Sequence, residues 1–268
     1  MRSIFCDCGF EIIDFHTHPF TNSEHNISAY GAEYPVSDKT VEEYTELFGI
    51  SRFCGSVIDT DLRKREGLNF DSIRALNDTA IELRDKFFGK YIPGIAIHPE
   101  FEEESALEIE RCRGLGVKLI GEIVPHLFGW GSYAHKGLNT VLEAAAAHGM
   151  VFSFHTMAHD TVEDMIKAHP NVTFVAAHPG ERKIVEFHTE LMKKYENYCL
   201  DISGTGIFRW QMLRYILDKV GSERILFGSD YPTCNPGVYI GGVLGERISD
   251  KDKENIFSKN AKRILGIS

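Results

Sequence analysis

Short apolar runs rich in β-branched residues recur at about 10–15, 52–58, 92–97, 117–123, 150–155, 172–177, 198–202 and 224–229. The stretches between them carry a helical period instead. Ser37-Asp38-Lys39-Thr40-Val41-Glu42 opens one such helix with a polar cap. Another runs from Gly137 to His148 and closes on Gly149, where a left-handed turn ends a helix at least cost. Asp160-Thr161-Val162-Glu163 starts a third with an acidic first turn, and a last helix spans about Ser249 to Leu265. Eight strand–helix alternations in 268 residues predict a single (β/α)8 TIM barrel over residues 1–268, with its chemistry at the C-terminal ends of the strands. A doubly wound open sheet would carry a glycine-rich phosphate turn after its first strand. Here that place holds Asp14-Phe15-His16-Thr17-His18-Pro19.

Composition narrows the partners. The chain is 43% apolar with a formal charge of −10, and its lysines and arginines sit mostly beside glutamates on helical stretches. That balance argues against nucleic acid, which is gripped through a basic stripe. No apolar run approaches the roughly 20 residues of a membrane span, and the first residues have no signal-peptide character. The six cysteines, scattered apart from Cys6-Asp7-Cys8, suit a reducing, cytoplasmic setting. The expected partner is a small molecule, and self-association is left open.

The strand ends hold the candidate chemistry. Residues i and i+2 of a strand share a face, so His16 and His18 leave together, where Pro19 stops the ladder. The fourth strand carries Glu122 in an apolar run; the fifth, sixth and eighth end in His155, His178 and Asp230. Five strands ending this way is the pattern of a metal-assisted active site. His16 and His18 would hold one ion and His155 and His178 a second. Glu122 would bridge the two, and Asp230 would ligate the first ion and act as general base. Imidazole and carboxylate donors suit zinc, manganese or iron; the expectation is zinc and two ions. Asp14 shares the parity of the histidines but lies deeper and reads as their buried hydrogen-bonding partner.

Rim position nominates further residues. His98 ends the third strand and His126 follows Glu122, so both are candidates for substrate contact. Trp130 and Tyr133, among glycines between Pro125 and Lys136, read as a mobile aromatic flap. Asn235 and Tyr239 follow the last strand, and Asn26, Tyr30 and Tyr34 the first. Arg209 and Arg247 could grip a carboxylate, though an ordinary surface ion pair is the plainer reading. His25, His135, His148, His159, His169 and His188 fall in loops or helices and read as structural.

Asp14-x-His16-x-His18, His155, His178, Phe227-Gly228-Ser229-Asp230-Tyr231-Pro232 and the closing Asn260-Ala-Lys-Arg-Ile-Leu-Gly266 resemble the amidohydrolase superfamily of metal-dependent barrels over nearly the whole chain. The Gly-Ser-Asp-Tyr-Pro turn and last helix are similar to the branch containing aminocarboxymuconate semialdehyde decarboxylase. Gly121-Glu122-Ile123 instead resembles the TatD-like deoxyribonucleases, whose fourth-strand glutamate bridges two metals. A carboxylated Lys118 is the other bridge that the superfamily suggests. The resemblance implies a metal-dependent hydrolase of a small amide, lactone or ester. Its alternative is a single-metal decarboxylase or hydratase of a small unsaturated acid. A TatD-like nuclease and a non-catalytic metal-binding barrel rank below both.

Overall fold

Eight parallel strands follow one another in sheet order β1 to β8: Ile12–Asp14, Ile50–Ser56, Tyr91–Ile95, Leu119–Ile123, Val151–His155, Thr173–Ala177, Tyr198–Asp201 and Ile225–Leu226. The computed structural model describes residues 8–19, 38–59, 68–156 and 159–268. Asn26, Tyr30, Tyr34, His25 and Cys6 lie outside them. The last strand returns to the first through Phe15 N–H donating to the Phe227 carbonyl at 2.9 Å, and through a parallel bridge between Thr17 and Tyr231. The predicted (β/α)8 barrel is therefore the observed architecture. Among the described residues no helix is long and apolar enough to cross a membrane.

Strand alternation builds two cores. Ile13, Cys54, Leu119, Val151, Val175, Cys199 and Leu226 belong to one buried cluster, on which Ala261 and Leu265 of the helix Asn260–Leu265 pack. Their strand neighbours Ile12, Phe53, Ile120, Phe152, Phe174, Tyr198 and Ile225 belong to the other, larger cluster, shared with the surrounding helices. Seven strands thus send successive residues to opposite sides, as the period of two requires. The C-terminal helix closes the end where the strands begin. There Lys118 Nζ donates to the Gly266 carbonyl at 2.8 Å, so it points away from the strands' C-terminal ends and is no metal bridge.

Helix limits follow their caps. Asn69 Oδ1 accepts from Ser72 N at the start of Phe70–Lys86, and Ser249 with Asp252 forms a reciprocal capping box before Asp250–Glu254. The last helix, expected as one run, is interrupted by a π turn over Asn255–Lys259.

One buried histidine on the helix Arg182–Lys194 gives stability a pH window. His188 is fully buried, with Nδ1 2.7 Å from the Tyr198 hydroxyl, and burial pushes its imidazole down from 6.5 to about 3. Below pH 6.5 the unfolded chain takes up a proton that the folded chain refuses. Stability is therefore fully present above that pH and lost as pH falls towards 3. By pH 4 the loss is about 3 kcal/mol. Urea unfolding at pH 7 and pH 4 checks this: His188→Asn should lose correspondingly less between the two. Equal losses in both chains would remove His188 as the cause.

Candidate metal centre

The first strand presents His16 and His18 from a segment locked on both sides. Thr17 N–H and Oγ1 donate to the Cys54 carbonyl at 2.9 and 2.8 Å, and His18 N–H donates to the Tyr231 carbonyl at 2.8 Å. Asp14, fully buried, accepts from Ser229 N–H at 2.9 Å, from Ser229 Oγ, and from His16 N–H at 3.3 Å, so it ties the first strand to the turn after the last. Burial raises its carboxyl to about 7 against those hydrogen bonds. Gly228 is required beside it: a Cβ there would lie 2.8 Å from His16 Cβ. Asp230 N–H donates to the His16 carbonyl at 2.8 Å, and a left-handed backbone (φ 62°) accompanies this turn.

Seven nitrogen and oxygen atoms of six side chains come together above the strands. His16 Nε2 and His18 Nε2 are 3.1 Å apart. Asp230 Oδ1 lies 3.7 and 3.4 Å from them, and Glu122 Oε2 lies 3.4 Å from each. The other Glu122 oxygen, Oε1, lies 2.9 Å from His155 Nδ1 and 3.4 Å from His178 Nε2. His16, His18, Glu122 and Asp230 are buried, whereas the His155 side chain keeps 31% of its exposure and marks the open side. Burial would raise Glu122, but the His16 charge and the surrounding imidazoles hold it well below the usual carboxylate range. Burial would likewise lower His16; Asp201 and Glu122 reverse that and raise it.

The residues fit a divalent ion. Bonds of about 2.0–2.2 Å to nitrogen and oxygen put neighbouring donors roughly 3.0–3.4 Å apart, close to the spacing of His16 Nε2, His18 Nε2, Asp230 Oδ1 and Glu122 Oε2. Charge agrees: among the described residues, Glu122, Asp201 and Asp230 make no ion pair with a lysine or arginine. The far ring nitrogens are also engaged. His16 Nδ1 lies 2.9 Å from Asp201 Oδ2 and His18 Nδ1 3.4 Å from the Ser56 carbonyl, both acceptors, so each imidazole turns Nε2 inward.

The geometry thus gathers His16, His18, Glu122, His155, His178 and Asp230, all expected from the sequence. It adds two residues that sequence reasoning passed over, Asp201 and Ser203, at the end of β7. Their signal was present, since Tyr198-Cys-Leu-Asp201 is another apolar run ending in a carboxylate.

Several rim expectations need correction. His98 is buried and spends both ring nitrogens on backbone: Nε2 on the Phe128 carbonyl at 3.0 Å, and Nδ1 on Glu100 N–H at 3.2 Å. Nothing is left for a substrate. Trp130 and Tyr133 are packed inward in this structure: both are buried, their rings meet edge to face at 5.8 Å, and Tyr133 Oη donates to the His155 carbonyl at 2.6 Å. Asn235 caps the helix Pro236–Gly245 by accepting from Gly237 N–H at 2.9 Å. Arg209 pairs with Glu181 at 2.7 Å on the surface. His126 stays at the rim, exposed, with its ring 5.6 Å from that of His155.

A family model described as amidohydrolase matches residues 13–267. The chain belongs to the amidohydrolase family. No curated protein matches it. Among solved structures it is similar to a 2,6-dihydroxybenzoate decarboxylase complexed with 2,6-dihydroxybenzoate, at 16% identity over 99% of each chain and a TM-score of 0.75. It is similar to 5-carboxyvanillate decarboxylase from Novosphingobium aromaticivorans with manganese and a nitrobenzoic acid, at 12% identity over 100% of this chain and 99% of that one, TM-score 0.73. A dihydroxybenzoic acid decarboxylase from Polaromonas with manganese and 2-nitroresorcinol shares 17% identity over 96% and 97%, TM-score 0.71.

These comparisons overturn the expected hydrolase of an amide, lactone or ester. The three structures named above are decarboxylases, and they favour the alternative reading of the sequence. A divalent metal is supported. Zinc and a second ion are not, since the metal named with these structures is manganese.

Proposed function

We propose that this amidohydrolase-family barrel is a metal-dependent decarboxylase of a small aromatic or unsaturated carboxylic acid, working with one divalent ion, manganese in the first instance. The observation that supports the metal is the convergence of His16 Nε2, His18 Nε2, Asp230 Oδ1 and Glu122 Oε2 within 3.1–3.7 Å in each measured pairing; the likeness to decarboxylases supports the reaction. One ion is the reading that goes with decarboxylation; Glu122, His155 and His178 form a second donor set beside the first, so the number of ions is read from the metal count.

When bound, a divalent ion there would polarise and orient the oxygens of the acid. The chain's own residues do the rest. Asp230 directs Oδ1 to the donor set and leaves Oδ2 to hold a proton beside the substrate carbon. The bond from that carbon to the carboxylate breaks, carbon dioxide leaves, and the electron pair left on the carbon takes the proton from Asp230 Oδ2. His155 and His178, on the partly open side, orient the acid, with Glu122 Oε1 holding His155 through Nδ1 at 2.9 Å.

The test is product analysis with the manganese-loaded protein in D2O, using hydroxybenzoates, 5-carboxyvanillate and small unsaturated diacids. The expected result is carbon dioxide and one deuterium at the vacated carbon, abolished by chelator and restored by manganese. Turnover confined to an ester, lactone or amide would overturn the proposal.

A further inference from the structure

The end of β7 crosses beneath two of the imidazoles. Asp201 and Ser203, both fully buried, are joined by Ser203 N–H donating to Asp201 Oδ1 at 2.9 Å. Ser203 Oγ also contacts Asp201 Oδ1, and it lies 3.0 Å from His16 Nδ1 and 3.1 Å from His178 Nδ1. Proton counting orients every bond. A carboxylate only accepts, so the single hydroxyl proton of Ser203 goes to Asp201. The two lone pairs of Ser203 are then left to accept, and both imidazoles must donate from Nδ1. His16 shares its Nδ1–H between Ser203 and Asp201 Oδ2, at 2.9 Å from the latter. The hydroxyl is saturated, with one proton given and two accepted. Gly204 completes the seat, because a Cβ there would lie 2.3 Å from His178 Nδ1.

We infer that Asp201 and Ser203 are positioning residues that fix His16 and His178 as Nδ1–H donors, so that both imidazoles face the metal centre through Nε2 and move as one unit. Neither touches the reacting atoms; each acts through the imidazole it holds. The inference rests on the site holding a divalent ion and is independent of decarboxylation.

The probe is zinc alone, which is diamagnetic. Its affinity is read by chelator competition, and the ring nitrogens by long-range 1H–15N correlation of the full-length protein. In the wild-type zinc-loaded chain, His16 and His178 should each carry a proton on Nδ1, with His16 ligating through Nε2. Asp201→Asn should weaken zinc binding by roughly 10–100-fold. Ser203→Ala should lose the His178 Nδ1–H signal while keeping that of His16, whose Asp201 partner remains. The wild-type spectrum decides even if a variant does not fold. Ligation of His16 through Nδ1, or unchanged zinc affinity in folded Asp201→Asn, would overturn this inference alone. A wild-type chain that binds no divalent ion would overturn the metal reading on which it rests.

Discussion

Asp230→Asn is expected to give a folded barrel whose turnover falls by roughly 10²–10⁴-fold. The asparagine keeps Oδ1 for the donor set, and the backbone hydrogen bond from residue 230 to the His16 carbonyl does not depend on the side chain. What it lacks is a carboxylate oxygen able to hold and release a proton. Its charge on the ion is also gone, so a loss of manganese affinity at least as large as the roughly 10–100-fold expected for outer partners of the ligands should accompany the collapse in kcat. The Asp230 side chain is 11% exposed and lies above the apolar cluster, so unfolding should change little. Steady-state kinetics at saturating manganese separates the two effects. Near wild-type kcat under those conditions would remove Asp230 as the proton carrier.

Glu122→Gln should act on the whole chain, even before metal is added. Its two oxygens lie 2.9–3.4 Å from four imidazoles, in a buried cluster that among the described residues has no lysine or arginine partner. Gln preserves the volume but removes the charge that balances the raised His16. Removing one partner of a buried ion pair costs about 3–5 kcal/mol, so urea unfolding of the metal-free variant near neutral pH should show a loss of that order. Manganese affinity should fall in parallel, since Oε2 is one of the four inward donors. Unchanged stability together with unchanged affinity would relegate Glu122 to a bystander.

Much of this site was legible in the sequence because two rules act together. A period of two puts His16 and His18 on one face, and a parallel barrel carries its functional groups at strand ends; these rules yield His155, His178 and Asp230 as well. Glu122 stood out as a carboxylate inside an apolar run. The same rule also applied to Asp201, but its strand read as plain core, and the partnership with His16 spans 185 positions. His98 was misjudged because position at the rim says nothing of backbone partners. The Phe128 carbonyl and Glu100 N–H that consume its ring come from folding, not spacing. The packing of Trp130 and the capping role of Asn235 come from folding in the same way.

The choice between hydrolysis and decarboxylation was not legible at all. Identical donors serve both chemistries, and the bridging role of Glu122 rested on its place in the fourth strand and on the TatD-like resemblance. The structure sets Glu122 Oε1 at 2.9 Å from His155 Nδ1, a direct hydrogen bond, and the fold is shared with decarboxylases of aromatic acids. Neither fact can be read from positions along the chain.

The central claim is a centre built for one divalent ion, and counting manganese tests it most directly. The protein would be purified without chelator, reconstituted with manganese, freed of excess metal and analysed by inductively coupled plasma mass spectrometry. The account predicts one equivalent per chain in the wild type. Two equivalents would contradict it by making Glu122 a bridge, and none would contradict it by leaving the converging imidazoles and carboxylates without their ion.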